Sequence, residues 1–176
     1  MANYGMVIDL NRCVRCRTCY VACKREHNIF AHPRDNEHPY EYYPLRYVEW
    51  EHGEYPDVKR AFIPIHCMQC EDPICMRFCP VDAITQRSDG ILQISKDKCN
   101  GCAFCVRACD FGVISLHIDS QKALVCDLCE NMKEEFIDPE KGVPEPQCIE
   151  VCPKEAISLK NVEQIGEETR FDAVKR

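Results

Sequence analysis

Residues Cys126 to Pro153 read CDLCENMKEEFIDPEKGVPEPQCIEVCP, two cysteine pairs of the form C-x2-C and C-x3-C with eighteen residues between them. Taken by itself this is the grammar of a zinc ribbon, in which four thiolates close around one tetrahedral ion. It is equally a ligand loop stretched between its second and third cysteines. The choice between these readings decides the fold, and the neighbouring sequence bears on it.

All sixteen cysteines fall into four groups of four. The first is CVRCRTCYVAC (Cys13, Cys16, Cys19, Cys23), the second CMQCEDPICMRFCP (Cys67, Cys70, Cys75, Cys79), and the third CNGCAFCVRAC (Cys99, Cys102, Cys105, Cys109). The opening stretch is the fourth (Cys126, Cys129, Cys148, Cys152). Each group ends C-x3-C, and CPVDAIT after the second matches CPKEAIS after the fourth, the mark of an internal duplication. The hydrophobic share of 45% includes these cysteines, so something besides apolar burial organises the chain. A reducing cytosol does not maintain eight disulfides, which leaves metal ligation as the use for the thiols.

In C-x2-C-x2-C-x3-C, three thiolates sit on one tight loop at three corners of a cubane. The fourth ligates the other cluster of a two-cluster pair. Zinc fits the fourth group in isolation, but gives the middle cysteine of the first and third groups no purpose. Four motifs therefore predict four 4Fe-4S clusters. Motifs two and three are joined by 19 residues, whereas 43 separate motifs one and two. The gaps favour nested pairing: Cys67, Cys70, Cys75 with Cys109 and Cys99, Cys102, Cys105 with Cys79 in an inner module. The outer module takes Cys13, Cys16, Cys19 with Cys152 and Cys126, Cys129, Cys148 with Cys23. Sequential pairing, one with two and three with four, is the alternative.

Short alternating runs predict strands at Ile91 to Ile94, Val113 to Ile118 and Lys122 to Val125, and the segments Thr18 to Lys24 and Ala103 to Cys109 suit short helices. Residues 24 to 66 break this rhythm, holding five of six histidines, five of seven tyrosines and the single tryptophan. Tyr43 to Trp50 and Val58 to Ile65 predict a hairpin. The fold class expected is α+β, with duplicated bacterial-type two-cluster ferredoxin-like modules built from small antiparallel hairpins and short helices. The outer module spans 1–31 and 118–176, the inner one 58–117, and an aromatic-rich hairpin insert 32–57.

The four motifs, in this order and with the insert between the first two, resemble the four-cluster electron-transfer subunits of the dimethyl sulfoxide reductase superfamily. They are also similar to the polyferredoxin subunits of tungsten enzymes of the aldehyde ferredoxin oxidoreductase type and to the small ferredoxins of formate-linked hydrogenases. The match runs from about Tyr4 to Leu159. The resemblance implies the nested pairing, a duplicated ferredoxin-like fold about a pseudo-twofold axis, and a linear cluster chain docked on a large catalytic pterin subunit carrying molybdenum or tungsten. A second redox partner is implied too: a ferredoxin, a flavin/NAD subunit or a membrane quinone subunit. Some relatives replace the second cysteine of motif three and hold a 3Fe-4S cluster, but Cys102 is present here. The third motif ends C-D and the first C-K, where many relatives have C-P.

No catalytic constellation stands out, so the chain is expected to transfer electrons without being an enzyme alone. His66 reads as a packing residue beside Cys67, and the remaining histidines as surface groups. Arg12, Arg15, Arg17, Lys24 and Arg25 around motif one predict a relatively high potential there, since positive charge stabilises the reduced cluster. Glu71 and Asp72 in motif two, and Asp127, Glu130 and Glu150 in motif four, predict the reverse. Solvated surface charges with little effect are the alternative. Tyr40, Tyr42, Tyr43, Tyr47, Trp50 and Tyr55 read either as a docking surface or as a roof over the clusters.

The net charge of -7 argues against nucleic acid, and no apolar run is long enough for a direct membrane span. The N-terminus lacks a leader, which predicts a cytoplasmic location, with periplasmic co-export beside a signal-bearing partner as the alternative. A stand-alone soluble polyferredoxin or hydrogenase-linked ferredoxin, and a zinc-binding structural module, are the competing functions.

Overall fold

The computed structural model describes residues 4–27, 29, 44–117, 119–129 and 145–161. Its elements are short. In chain order they are β1 (Tyr4–Ile8), α1 (Thr18–Glu26), β2 (Leu45–His52), β3 (Lys59–His66), α2 (Ile74–Arg77) and β4 (Ile84–Gln86). Then come β5 (Leu92–Ile94), α3 (Phe104–Ala108), β6 (Ser115–Leu116), β7 (Ala123–Leu124), α4 (Gln147–Glu150) and β8 (Ile157–Asn161). The fold is thus a mixed α+β arrangement of antiparallel strand pairs and helices of one to three turns.

Each strand pair has a local cause. β4 and β5 pair Ile84 with Ile94 and Gln86 with Leu92 across the Ser88-Asp89-Gly90 turn. There Gly90 takes φ of +85°, and the Asp89 carboxylate accepts a bond from the Ile91 amide at 3.2 Å. The strand expected at Ile91 to Ile94 is present as β5, but its partner β4, directly behind Cys79 and Pro80, carries no separate signal because three residues show too little alternation. β6 and β7 pair across the Asp119-Ser120 turn and are two residues each, shorter than the runs expected. Main-chain bonds from His117 to Lys122 and from Gln121 to His117, both 2.7 Å, close that turn.

β1 and β8 pair antiparallel from Tyr4 with Asn161 to Ile8 with Ile157, so the two ends of the described chain meet. Neither strand was expected. Met6 sits opposite Leu159, and Ile157 and Leu159 are buried, which is what alternation in ISLKN supplies. β8 runs on to Asn161, and residues 162–176 lie outside the described ones.

The helices pack in two pairs, α2 on α3 and α1 on α4. The principal apolar core belongs to the first pair: Ala83, Ile84, Leu92, Val113, Ile114, Ala123 and Val125 bury together with Cys67, Cys75, Cys99 and Cys105. A much thinner core of Cys19, Cys148 and Ile157, with Met6, Ile8 and Tyr47 against it, supports the second.

β2 and β3 form an eight-residue hairpin in which Leu45 faces His66, Tyr47 faces Pro64 and Glu49 faces Phe62. The domain boundary drawn between residues 57 and 58 falls in its turn. Because side chains alternate along a strand, Tyr47, Glu49, Phe62 and Pro64 share one face while Trp50 and His52 share the other, where their rings stack at 5.4 Å. No helix among the described residues is long and apolar enough to cross a membrane.

Candidate metal centres

The cysteine loops begin with a backbone regularity. Within each leading C-x2-C, the residue just before the second cysteine has positive φ: Arg15 (59°), Gln69 (47°), Gly101 (75°) and Leu128 (56°). The residue after Cys16 and the one after Cys102, Arg17 and Ala103, both cap their helices at φ 61°, ψ 13°. Asp82 and Glu155, three residues beyond Cys79 and Cys152, lie at 48° and 47°. Left-handed residues other than glycine cost of order 1–3 kcal/mol each, so they persist only where something over-determines them. Alternating handedness turns successive main-chain N–H groups inward, the concavity in which anionic iron–sulfur groups are held. Only Gly101 advertises this in the sequence: a Cβ there would lie 2.3 Å from the Gln121 carbonyl oxygen. The other positions are ordinary residues, so no signal could have found them.

Two cavities show which cysteines meet. One is lined by Cys13, Cys16, Cys19 and Cys152 together with Arg15, Arg17, Tyr47 and Pro64. A second is lined by Cys79, Cys99, Cys102 and Cys105 with Ala83, Ile84, Gly101 and Ala123. The other eight thiols are identified as neighbours by electrostatics. Burial pushes Cys67 up to about 12, and the nearby Cys75, Cys70 and Cys109 push the same way. Burial also raises Cys75, with Cys109 the largest charged contributor. Cys23 is raised first by burial and then by Cys129 and Cys148, and Cys126 first by burial and then by Cys148 and Cys23. Cys148 reaches about 12 and Cys129 about 11, both chiefly through burial.

Such crowding has a chemical meaning. Four adjoining thiols buried this deeply stay protonated unless cationic iron replaces their protons, so loading releases protons and is coupled to folding. The donor set is sulfur alone. Main-chain amides point at the sulfurs: Ala83 to Cys79 and Ala156 to Cys152 at 3.3 Å, and Ala123 to Cys99 at 3.4 Å. A zinc site would draw four sulfurs to about 2.3 Å from a single centre. Among the described residues no group of three or more His, Cys, Asp or Glu side chains is arranged for a single ion. Grouped cysteine sulfurs and main-chain amides aimed at them fit cubane clusters.

Side-chain hydroxyls reach the sulfurs at only one of these places among the described residues. Thr18 Oγ1 lies 3.3 Å from Cys16 Sγ, and this bond is the largest influence lowering the Cys16 thiol. Tyr47 Oη lies 2.7 Å from Cys19 Sγ. Burial, and then the Cys19 sulfur, push the Tyr47 phenol far above its usual range, so it stays protonated. Tyr47 is therefore part of a roof over motif one, whereas Trp50 and Tyr55 are exposed. Tyr40, Tyr42 and Tyr43 lie outside the described residues, as does the spacer 130–147 between Cys129 and Cys148 apart from its last residues, Glu145 to Gln147.

Several of these charges are paired. Arg15 meets Glu49 at 2.5 Å and Arg17 meets it at 3.5 Å, while Arg12 meets Glu155 at 3.1 Å. The Arg15 guanidinium also lies 4.1 Å above the Phe62 ring. Asp72 pairs with Arg77 at 3.5 Å. His27, read as a surface residue, instead faces Asp127 at 3.7 Å with a mostly buried side chain, because α1 carries it onto the motif-four loop. His66 is buried, burial holds its imidazole below the usual range, and its Nδ1–H donates to the Cys67 carbonyl at 2.8 Å. His32 and His38 lie outside the described residues.

Comparison with known proteins agrees with this chemistry. Residues 58–162 match the family model described as the 4Fe-4S dicluster domain. The chain is 32% identical to a sulfite dehydrogenase subunit of Allochromatium vinosum, over 89% of this chain and 68% of that one. It is 30% identical to a chain of the anaerobic dimethyl sulfoxide reductase of Escherichia coli K12, over 93% and 76%. It is 43% identical to a selenate reductase subunit of Mesobacillus selenatarsenatis over 61% of this chain, spanning only 34% of that protein. The sixteen cysteines fit four 4Fe-4S clusters. With these motifs, this loop geometry and these relatives, the chain belongs to the 4Fe-4S dicluster domain family of iron–sulfur electron-transfer subunits.

Proposed function

We propose that this chain is the iron–sulfur subunit of an oxidoreductase complex, relaying single electrons to or from a molybdenum or tungsten pterin catalytic chain. The cluster ligand sets are Cys13, Cys16, Cys19 and Cys152; Cys67, Cys70, Cys75 and Cys109; Cys99, Cys102, Cys105 and Cys79; and Cys126, Cys129, Cys148 and Cys23. The observation that carries the reading is the adjacency of the four cysteine neighbourhoods. Cys19 acts electrostatically on both Cys23 and Cys148, linking the first set to the fourth. Gln69 donates to the Cys126 carbonyl at 2.7 Å, linking the fourth to the second. Cys75 acts on Cys105, linking the second to the third. Of the sixteen cysteines, the exposed ones are Cys16 and Cys102, which belong to the two terminal sets. A line with both ends at the surface is what a relay between two partners requires.

When bound, the clusters supply one-electron carriers; the protein residues fix their spacing and tune them through charge, burial and hydrogen bonds to sulfur. The duplication reading is supported by the matched left-handed positions and by the paired amides of Ala83 and Ala156. Outer and inner modules are supported by the β1–β8 pairing with α1 on α4, and by α2 on α3. The catalytic partner is supported by the relatives, which are named as parts of sulfite dehydrogenase, dimethyl sulfoxide reductase and selenate reductase. The second partner is a ferredoxin, a flavin/NAD chain or a membrane quinone chain. The chain works in the cytoplasm, where reducing conditions keep thiols available, or is exported already loaded beside its partner; fractionation of cells with an antibody to the chain decides.

The test is affinity purification under anaerobic conditions, followed by iron, sulfide, molybdenum and tungsten analysis and redox titration by electron paramagnetic resonance. Four cluster signals and a co-purifying pterin chain are expected. A colourless zinc protein would end the reading. Four clusters with no large partner would leave the stand-alone polyferredoxin.

A further inference from the structure

The charged residues around motif one suggest that arginines raise the potential of its cluster, but their contacts weaken that reading. Arg15 and Arg17 share Glu49, and Arg12 is held by Glu155, so two carboxylates offset much of the charge of these three cations. Paired exposed charges give a weak field at a distance, further screened by salt. What remains at contact range is the hydroxyl that the inserted hairpin delivers.

We infer that Tyr47 sets the potential of the cluster held by Cys13, Cys16, Cys19 and Cys152, through a hydrogen bond to Cys19 Sγ; this rests on the ligand set proposed above. Both atoms could donate in a free thiol, but a cysteine bound to iron is a thiolate and only accepts. The phenol must then be the donor, at 2.7 Å. Reduction adds negative charge that spreads onto the sulfurs, so a donor aimed at sulfur stabilises the reduced state more than the oxidised one and raises the midpoint potential.

Three features make this a built contact. Strand alternation in β2 puts Tyr47 on the face that also carries Glu49, and Pro64 opposite Tyr47 lines the same cavity. The ring packs at 6.1 Å from the ring of Tyr20 on α1, so its position is fixed from two sides. Among the described residues, the other oxygen-to-sulfur hydrogen bond is Thr18 to Cys16, in the same set. The sulfurs of Cys79 and Cys99, in another set, receive main-chain amides. Motif one's cluster is thus the one singled out for hydroxyl donors, and Tyr47 gives a physical role to an insert that carries no cysteine.

The experiment is a redox titration of the fully loaded chain in its complex, wild type against Tyr47→Phe, following all four clusters by electron paramagnetic resonance. Loss of the hydroxyl is expected to lower one midpoint potential, by up to about tenfold in the reduction equilibrium constant or about 59 mV for one electron, with the other three unmoved. The displaced signal should be the one that Cys16→Ser perturbs. If Cys16→Ser perturbs a different signal, the ligand set fails while the hydroxyl's role stands. Four unmoved potentials, or a shift shared by all four, would overturn the inference. Site-specific 3-fluorotyrosine at position 47 keeps the shape and strengthens the donor. It should move the same potential upward, and a downward or absent shift counts against the inference even if Tyr47→Phe loads poorly.

Discussion

The region around motifs two and three and the region around motifs one and four use the same cysteine loops but are held together differently. The first is closed by contacts between sequence neighbours: two short hairpins, α2 on α3, and a continuous apolar core that includes Leu92 and Val113, each 1% exposed. The second joins residues more than a hundred positions apart through β1 with β8 and α1 on α4, over two small clusters, Cys19 with Cys148 and Ile157, and Leu128 with Leu159 and Ile91. It also depends on a hairpin clasp, in which Glu49 holds Arg15 and Arg17 and Tyr47 reaches Cys19. The same loop chemistry can thus rest on apolar packing or on chain closure. Where packing is thin, iron ligation and long-range pairing must supply the stability.

The comparison breaks most sharply at Cys152. Replacing it with Ala removes a proposed ligand and the sulfur that accepts from the Ala156 amide at the entrance to β8. About a quarter of the iron should be lost, as one cluster of a 16-cysteine set. Hydrogen exchange should speed up across Tyr4–Ile8 and Ile157–Asn161, while the signals of the motif-two and motif-three clusters persist. Iron loss from those clusters as well would mean the inner region does not stand without the outer one.

Leu92→Ala tests the opposite side. It empties part of the continuous core, and the expected cost is roughly 2–5 kcal/mol in denaturant unfolding of the loaded protein. Ile157→Ala, in the thin core, should cost less in unfolding free energy yet lower the iron content of the outer clusters more. Equal effects of the two variants on iron content would erase the distinction between the regions.

Gly101 and Arg15 occupy the same loop position with φ of 75° and 59°. Gly101→Ala should destabilise by about 1–3 kcal/mol, because its Cβ meets the Gln121 carbonyl. Arg15→Gly should not weaken the backbone, since the loop already bends left-handed. A thermal melt of each loaded variant checks both.

The smallest effect belongs to Glu49→Gln. Its pairs are partly exposed, so stability should change by no more than about 1 kcal/mol. Releasing Arg15 and Arg17 should raise the potential of the motif-one cluster slightly, opposite in sign to Tyr47→Phe. A lowered potential would show that the pairing does not offset the arginines.

Much of the site was legible because ligand chemistry is local. C-x2-C-x2-C-x3-C names its metal through the middle cysteine, and the gaps of 19 and 43 residues between motifs favoured one grouping over another. The helix after Arg17, the strand after the Asp89 turn and the strand pair across Asp119 followed from periodicity and turn residues. β1 and β8 did not, because five-residue strands that pair only with each other carry weak signals at opposite ends of the chain. His27 was misread for a related cause: a polar side chain looks like surface until a helix carries it against Asp127.

The sequence by itself determined the cofactor, the number of clusters and the class of function, because those depend on which atoms are present and how closely they are spaced. Tertiary structure alone decided what surrounds each sulfur. Tyr47 lies 28 residues from Cys19 and meets it at 2.7 Å, and Glu49 takes the arginines that would otherwise act on the cluster. Such contacts depend on strand register and on which face of a hairpin turns inward, and a one-residue slip would send Tyr47 to the opposite face.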